Sequence, residues 1–232
     1  AQYPGMGSGL YQEGPVYRDA VDACLAALAP AHAAEVRPVL LADGDATAAR
    51  VMERPTIGLP ALFITQYAQA KLWAARGIEP TALIGHSMGE YTAACLAGVF
   101  SVKDALALVT KRAQLFETVE EGAMLSVPLP AAELLGLMET SVSIAAVNAP
   151  ALAVASGPVE AIERLRRRLA ERGVECSRLR INVAAHSALL EPILADFRAF
   201  VRGLALSTPK LPIASNLSGT WLADAEATDP EY

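Results

Sequence analysis

The sequence predicts an α/β fold in two parts, and three observations carry that prediction. Apolar residues make up 53% of the 232 residues and the mean hydropathy is +0.32, enough for one large domain or a large domain carrying a small one. The short apolar run TALIG, residues 81–85, is typical of a buried strand and is followed by a helical segment. Between about Ala123 and Ile181 the elements change to the order β-α-β-β-α-β.

Local signals place helices through the first half of the chain. Residues 15–42 carry apolar side chains at three- and four-residue spacing, which predicts helix. Residues 54–78 predict a long amphipathic helix, and Ser101 is a candidate N-cap for a later one. The expected buried face of the long helix consists of Leu59, Leu62, Tyr67, Leu72 and Trp73.

The second half predicts a small subdomain inserted into the large one. The segments AMLSVPL, SVSIAAVNAP, ALAVASGP and VECSRLRI read as strands, and AAELLGLM and VEAIERLRRRLAERG read as helices. This order is typical of a ferredoxin-like unit. We therefore predict a small subdomain at residues 123–181 and a large subdomain at residues 1–122 and 182–232.

Charge and cysteine usage narrow the classes of partner and cofactor. The formal net charge of −6 argues against nucleic acid, and the basic run ERLRRRLAERG is typical of a solvated helix face. The 3 widely spaced cysteines indicate neither a disulfide framework nor a metal site. No apolar run reaches membrane-spanning length and no signal peptide is visible, so we expect a cytoplasmic protein without membrane contact.

The segment GHSMG, from Gly85 to Gly89, fits the G-x-S-x-G pattern between a predicted strand and a predicted helix. In that context Ser87 is predicted to be a nucleophile on a sharp, strained turn. Glycines are expected on both sides because a Cβ there would clash. The turn would aim the N–H of Met88 at an oxyanion. The alternative is a small serine that only caps the helix.

A serine nucleophile needs a base, and the chain has 3 histidines. His32 lies in a helical segment with no apparent partner and is interpreted as structural. His86 is adjacent to Ser87, and successive side chains at such a turn point apart, which favours a structural role. His186, in the segment NVAAHSALLEP, is therefore the candidate base, with a core histidine as the open alternative.

Several stretches in chain order resemble the malonyl-CoA:acyl-carrier-protein transacylase family, specifically the acyltransferase domains of modular polyketide synthases. YPGMGSGLY resembles the segment after the family's N-terminal GQG motif, and GHSMGEYTAA matches GHSxGE. LVTKRAQLF matches the helix with the family's substrate arginine, and AAHSALLEP matches its histidine motif. VNAP resembles the strand turn of the small subdomain, and SNLSGTW and ATDPEY resemble the terminal segment. The resemblance covers essentially the whole chain.

The resemblance implies an α/β-hydrolase-like large subdomain with a parallel sheet and an inserted ferredoxin-like small subdomain. It implies that Ser87 and His186 form a dyad that takes a malonyl group from coenzyme A and passes it to the phosphopantetheine thiol of an acyl carrier protein. Arg112 would pair with the free malonyl carboxylate; without the resemblance it would be an ordinary surface arginine next to Lys111.

The resemblance also implies the partners and cofactors. The partners would be malonyl-CoA, the acyl carrier protein and flanking synthase domains, a ketosynthase and linkers among them. A coenzyme A thioester would enter as the substrate, with no metal and no permanently bound cofactor.

The N-terminal part departs from the family pattern at the oxyanion site. The implied donors are the backbone amide of Met88 and that of a glutamine in GQG, which would precede Ala1. Gln2 resembles the later glutamine of GQGxQ. Because both ends of the sequence also look cut, we expect the chain to be a piece of a longer protein.

The residues before the candidate base read VAAH, which matches neither the family's malonyl pattern HAFH nor its methylmalonyl pattern YASH. Val183 and Ala185 are therefore candidate substrate-binding residues, and an alanine in place of phenylalanine at 185 would leave room for an α-methyl group. Met88 is apolar, as the corresponding residue is in malonyl enzymes of the family, and it therefore favours malonyl. We expect malonyl, with methylmalonyl or another extender unit as the alternative, since one methyl is worth only about 1–3 kcal/mol.

Two other function classes stay open. A serine hydrolase or thioesterase would order its triad Ser, acid, His, and many acids lie between Ser87 and His186, although Arg112 and the inserted unit argue against it. A non-catalytic scaffold is supported only by the missing glutamine, and the three intact site residues argue against it. The stretch IASNLSG, around Asn216, is where we expect a backbone carbonyl that orients the histidine.

Overall fold

The chain divides into two compact units. The large unit comprises Ala1–Glu117 and Asp196–Tyr232, and the small unit comprises Thr118–Ala195. The small unit contains all of the predicted inserted subdomain, residues 123–181, and extends beyond it at both ends. Gly122 N–H donates to Asn182 O at 3.0 Å and so joins the residues just outside the two predicted boundaries. The computed structural model describes residues 2–42, 46–179 and 181–232.

Helices dominate the large unit, and strands dominate the small one. In chain order the elements are α1 (Ser8–Glu13), α2 (Pro15–Ala27), α3 (Pro30–Leu41), α4 (Ala46–Met52), α5 (Pro55–Ala75), β1 (Leu83–Ile84), α6 (Gly89–Ala97), α7 (Val102–Phe116), β2 (Gly122–Val127), α8 (Ala131–Leu135), β3 (Ser143–Ala149), β4 (Leu152–Pro158), α9 (Val159–Glu171), β5 (Ser177–Arg178), a 3-10 helix (Ala188–Ile193), α10 (Leu194–Val201), β6 (Ile213–Ala214) and α11 (Asp224–Ala227). Within the described residues, none of the helices combines the length and apolarity needed to cross a membrane.

Helices α2, α3, α5 and α7 build the core of the large unit. Pro15 and Pro55 each occupy the first turn of a helix, where the fixed φ of proline fits and its missing N–H costs no hydrogen bond. The predicted N-cap of α7 is confirmed, because Ser101 Oγ accepts a hydrogen bond from Asp104 N–H at 3.1 Å. The large, fully buried side chains of this core are Tyr17, Val21, Leu40, Ile57, Phe63, Ile64 and Leu106.

The long helix α5 forms where predicted, but its buried face is not the predicted one. Phe63 and Ile64 are fully buried, whereas Trp73 is 45% exposed. The other four residues of the predicted face are only partly buried. The first part of α5 is apolar on all sides and is enclosed by α2, α3 and α7, so an amphipathic pattern does not describe it.

Strands β1 and β6 form a parallel pair in the large unit. Leu83 pairs with Ile213, and Ile84 pairs with Ala214. The prediction of a buried strand is wrong for Ile84, which is 79% exposed, because successive side chains of a strand point to opposite faces and only Leu83 packs against the apolar cluster around α6 and Ile213. The end of β1 leads directly into Gly85 and sets the direction in which the chain enters the next turn.

The small unit has the predicted β-α-β-β-α-β order, and the predicted fold class is confirmed. The sheet order is β3-β4-β2-β5, and every neighbouring pair is antiparallel. This is the ferredoxin-like arrangement. Helix α9 packs on the sheet through Ile162, Leu165 and Leu169, whose spacing of three and four residues places them on one face.

The basic run of α9 is a solvated face, as predicted. Arg164 and Arg168 contact the carboxylate of Glu139 at 2.8 and 3.4 Å. Arg166 contacts Glu163 at 2.9 Å. Because these arginines already have acidic partners, the run is not a row of uncompensated positive charges.

Candidate active site

Ser87 lies on the sharp turn between β1 and α6. Its φ is +50°, in the left-handed region where a non-glycine residue is strained. Gly85 allows the strand and the helix to approach each other: a Cβ there would lie 2.1 Å from Gly89 C and 2.2 Å from Glu90 N. Gly89 has open space for a Cβ, so the expectation that both flanking glycines are sterically required is wrong for Gly89.

Three of the four backbone N–H groups at this turn are already hydrogen-bonded. The N–H groups of Gly89 and Glu90 donate to carbonyls within the turn at 2.9 and 3.0 Å. Ser87 N–H donates to Asn216 Oδ1 at 3.2 Å. Met88 N–H finds no acceptor among the described residues, so of these four amides it is the one that could still donate to a bound group.

Arg112 is buried beside the same turn. It is 9% exposed, and its Nη1 atom lies 2.7 Å from Met88 Sδ. Its guanidinium carbon lies 4.4 Å from the ring centroid of Phe116 and 5.5 Å from that of Tyr91. No carboxylate pairs with Arg112 within the described part of the chain. A thioether and two aromatic faces leave its charge unneutralised, and an unpaired buried cation is costly.

Asn216 reaches the turn from the segment after β6. Its Nδ2 atom donates to Gly85 O at 2.7 Å, and its own N–H donates to Glu90 Oε1 at 2.8 Å. Burial raises the pKa of the Glu90 carboxyl, and the Asn216 N–H and the nearby His86 partly offset that rise. The sequence predicts that this segment supplies a backbone carbonyl that orients the histidine. It does not predict the contacts of the Asn216 side chain with the turn at Ser87.

His186 lies in the small unit, on a turn before the 3-10 helix. Its φ is +60°, again in the left-handed region. Ser187 fixes this turn, because its Oγ atom donates to Ala184 O at 2.7 Å and caps the 3-10 helix. Gly122 allows the turn to lie against β2, since a Cβ at that position would lie 2.4 Å from Ala184 Cβ.

The two predicted specificity residues flank the buried part of this turn. Val183 is 8% exposed, and Ala185 is half-buried, with its N–H donating to Val183 O at 2.9 Å. Both lie in the small unit with His186, whereas the other predicted site residues lie in the large unit. Ser87 and His186 are the only non-glycine residues with positive φ in the described ranges. Backbone strain of this kind clusters at functional sites.

The remaining titratable candidates occupy structural positions. His32 Nε2 lies 2.6 Å from Thr56 O and links α3 to α5, a partner that the sequence did not reveal. Burial raises the pKa of the Cys24 thiol to about 12 and that of Cys95 to about 11. The described residues contain no group of three or more His, Cys, Asp or Glu side chains arranged to hold a metal ion.

The chain is similar to acyl transferase domains and to segments of polyketide synthases. Residues 1–232 match the family model described as the acyl transferase domain. The chain is 37% identical over 230 residues to a phenolphthiocerol/phthiocerol polyketide synthase of Mycobacterium tuberculosis, covering 99% of the chain and 15% of that protein. It is 35% identical over 237 residues to spectinabilin polyketide synthase system protein NorC of Streptomyces orinoci, covering 100% and 10%. The chain thus spans a small part of the length of these curated relatives.

Solved structures give the same result. The acyl transferase domain of SpnD, in complex with 2-(pent-4-yn-1-yl)malonyl, is 44% identical with a TM-score of 0.89, covering 99% of this chain and 54% of that one. The malonyl CoA-acyl carrier protein transacylase (fabD) from Coxiella burnetii is 26% identical with a TM-score of 0.85, covering 98% and 75%. The chain therefore belongs to the acyl transferase domain family, together with acyltransferase domains of polyketide synthases and malonyl-CoA–acyl carrier protein transacylases, and it is an acyltransferase.

Proposed function

We propose that the chain moves a malonyl-type extender unit from coenzyme A, through an acyl-Ser87 intermediate, to the phosphopantetheine thiol of an acyl carrier protein in polyketide synthesis. The observation that carries the proposal is the buried Arg112 guanidinium. It contacts Met88, the residue after the serine, and has no carboxylate partner among the described residues. A cation kept without an anion at this position fits an acyl group that brings its own carboxylate.

In the first half-reaction, Ser87 Oγ attacks the thioester carbonyl carbon while His186 accepts the hydroxyl proton. Negative charge develops on the carbonyl oxygen, and Met88 N–H donates a hydrogen bond to it. When the tetrahedral intermediate collapses, the C–S bond breaks and the protonated His186 gives its proton to the departing sulfur. The products are a malonyl ester on Ser87 and free coenzyme A.

In the second half-reaction, the phosphopantetheine thiol of the carrier protein attacks the ester carbonyl carbon and His186 accepts the thiol proton. The same amide stabilises the oxyanion. The C–O bond to Ser87 then breaks, and the proton returns to Oγ. The enzyme is regenerated, and the malonyl group has moved from one thioester to another.

Throughout both halves, Arg112 holds the free carboxylate of the acyl group. A planar guanidinium binds a carboxylate through two parallel N–H···O bonds, which fixes the orientation of the acyl chain as well as its affinity. A neutral acyl group would leave the buried cation unpaired and would be rejected on that ground.

For the extender unit itself, we propose malonyl. Met88 places an apolar side chain directly after the serine, and its sulfur contacts the guanidinium that would receive the carboxylate. Ala185 is the residue that would leave room for an α-methyl group, so methylmalonyl is the competing substrate. A single methyl group separates the two by only about 1–3 kcal/mol, so the preference has to be measured.

We also propose the setting in which this chemistry takes place. The matched relatives are several times longer than the chain, which supports flanking synthase domains, a ketosynthase and linkers among them, as covalent partners. The proposed compartment is the cytoplasm. The proposed reaction needs no metal, no permanently bound cofactor, no nucleic acid and no membrane.

The experiment is intact-protein mass spectrometry after incubation with malonyl-CoA or, separately, methylmalonyl-CoA, followed by addition of a holo-acyl carrier protein. We expect a malonyl adduct on the wild type, its absence from Ser87→Ala and from His186→Ala, and its transfer to the carrier protein. The preferred adduct identifies the extender unit.

Two results would contradict the proposal. An adduct that persists in Ser87→Ala would place the acyl group elsewhere. Release of free malonate at a rate rivalling transfer to the carrier protein would make the protein a hydrolase instead.

A further inference from the structure

We propose that Asn216 and Glu90 are positioning residues that hold Ser87 in its strained backbone conformation. This inference rests on the proposed function, because it concerns how the acyl-accepting serine is held. Three hydrogen bonds carry it: Ser87 N–H to Asn216 Oδ1, Asn216 Nδ2 to Gly85 O, and Asn216 N–H to Glu90 Oε1.

The Asn216 carboxamide continues the parallel pairing beyond the end of the strands. The last backbone pair joins Ile84 to Ala214, so two residues further along each strand His86 would lie opposite Asn216. In a parallel pair, every second residue of a strand makes two bonds to the other strand. Its N–H donates to the carbonyl of the residue before the one that lies opposite, and its carbonyl accepts from the N–H of the residue after that one. The side chain of Asn216 makes these two bonds, to Gly85 O at 2.7 Å and to Ser87 N at 3.2 Å. A side chain thus replaces the strand partner at the point where the backbone turns away.

Asn216 is itself held on two sides. Glu90, in the first turn of α6, accepts the Asn216 N–H at 2.8 Å, so the helix that starts at the serine turn fixes the residue that binds the turn. On the other side, the buried Ser215 closes its loop: its Oγ atom accepts from the N–H groups of Leu217 and Ser218 at 3.0 and 3.3 Å. The backbone of Asn216 is therefore fixed at the position from which its carboxamide contacts Ser87.

This arrangement has a catalytic consequence. A left-handed backbone at a serine persists only when its surroundings over-determine it. The bond from Ser87 N–H also takes that amide out of competition for the oxyanion and leaves Met88 N–H as the donor. Without the carboxamide, Ser87 relaxes, Oγ and the oxyanion donor shift together, and misplacement of reacting groups by about 1 Å costs on the order of 100-fold in rate.

The test measures the single-turnover rate of self-acylation by malonyl-CoA in Asn216→Ala, Glu90→Ala and Glu90→Gln. We expect Asn216→Ala and Glu90→Ala to lower the rate at saturation by roughly 10- to 100-fold, with half-saturation within about threefold of wild type because Arg112 is untouched. Glu90→Gln retains an oxygen acceptor for Asn216 N–H and should keep near-wild-type rates. Ser218→Ala, in the same loop, is the matched control.

Several outcomes overturn the inference. A wild-type rate in Asn216→Ala removes the role of Asn216. Equal losses in Glu90→Ala and Glu90→Gln would mean that charge rather than the hydrogen bond matters. A rate loss that only tracks a lower melting temperature would indicate a general folding role.

A crystal structure of Asn216→Ala separates this inference from the proposed function. Its readout is the φ angle of Ser87, which needs no acylation. A φ that leaves the left-handed region supports the positioning role even if the wild type fails to acylate, and a φ that stays near +50° refutes it even if acyl transfer is established.

Discussion

Replacing Arg112 with alanine should change which acyl groups the enzyme accepts more than it changes the rate of acyl transfer itself. Arg112 is 9% exposed and lies against Met88, Phe116 and Tyr91, without a carboxylate partner in the described ranges. In the proposed complex the malonyl carboxylate neutralises it. In the complex with malonyl-CoA, the substitution therefore removes the partner of the substrate carboxylate. In the complex with a neutral acyl-CoA such as acetyl-CoA, it removes a buried positive charge that would have no partner.

The expected size follows from the strength of charge-assisted hydrogen bonds. A hydrogen bond to a charged group is worth about 1.5–3 kcal/mol, and the bidentate pair supplies two of them in a partly desolvated site. A net loss of about 3–4 kcal/mol corresponds to a roughly 200- to 1,000-fold fall in kcat/KM for malonyl-CoA. Acetyl-CoA should hold its rate or gain, since no cation remains to be buried unpaired. Arg112→Lys should lose less for malonyl-CoA, because it keeps the charge without the planar fork.

The assay is competition between malonyl-CoA and acetyl-CoA, with the two acyl-Ser87 adducts resolved by intact mass. The control is Lys111→Ala, which removes the neighbouring positive charge on the same helix from a less buried position. If Arg112→Ala lowers malonyl and acetyl loading by the same factor, Arg112 does not read the carboxylate, and the main support for a malonyl-type substrate is lost. Melting temperatures of the variants show whether a common loss is only unfolding.

Two further predictions concern the packing of the large unit. Gly85→Ala should abolish acylation and lower the free energy of unfolding by at least about 3 kcal/mol, because its Cβ would lie 2.1 Å from Gly89 C, whereas Gly89→Ala should stay folded and active. Thermal unfolding measures the stability of each variant, and the acyl adduct measures its activity. Equal stability and activity of the two variants would contradict the steric argument. Iodoacetamide at mildly alkaline pH should modify the partly exposed Cys176 first and spare the buried Cys24 and Cys95, because burial raises the thiol pKa of Cys24 to about 12 and that of Cys95 to about 11. Peptide mass mapping with and without denaturant checks this order. Labelling of Cys24 in the native protein would contradict it.

Features set by local signals were predictable from the sequence. Ser101 caps α7 because its hydroxyl reaches an N–H three residues on, and nothing beyond that segment is needed. The spacing of Ile162, Leu165 and Leu169 places α9 on its sheet, and strand and helix lengths give the order of the small unit. Each of these depends on neighbours within about one helical turn or one hairpin.

Features set by long-range packing were not predictable. The first part of helix α5 is apolar on all sides, so periodicity could not show that Phe63 would be buried there and that Trp73, near the end of the helix, would be exposed. Asn216 binds a turn that is 129 residues away in sequence, and an asparagine after a short strand carries no signal of that contact. Arg112 and Lys111 are neighbours on one helix, and only the packing of α7 buries the first of them more deeply.

The backbone at Ser87 and His186 argues for chemistry independently of any motif. A left-handed φ costs a non-glycine residue roughly 1–3 kcal/mol, and glycine or asparagine would adopt it at less cost. A sequence selected only for folding would therefore place glycine at both positions, as it does at Gly5, Gly77 and Gly98. Serine and histidine there sacrifice stability for a hydroxyl and an imidazole. Because stability is marginal in proteins of this size, two such positions support the roles proposed for Ser87 and His186.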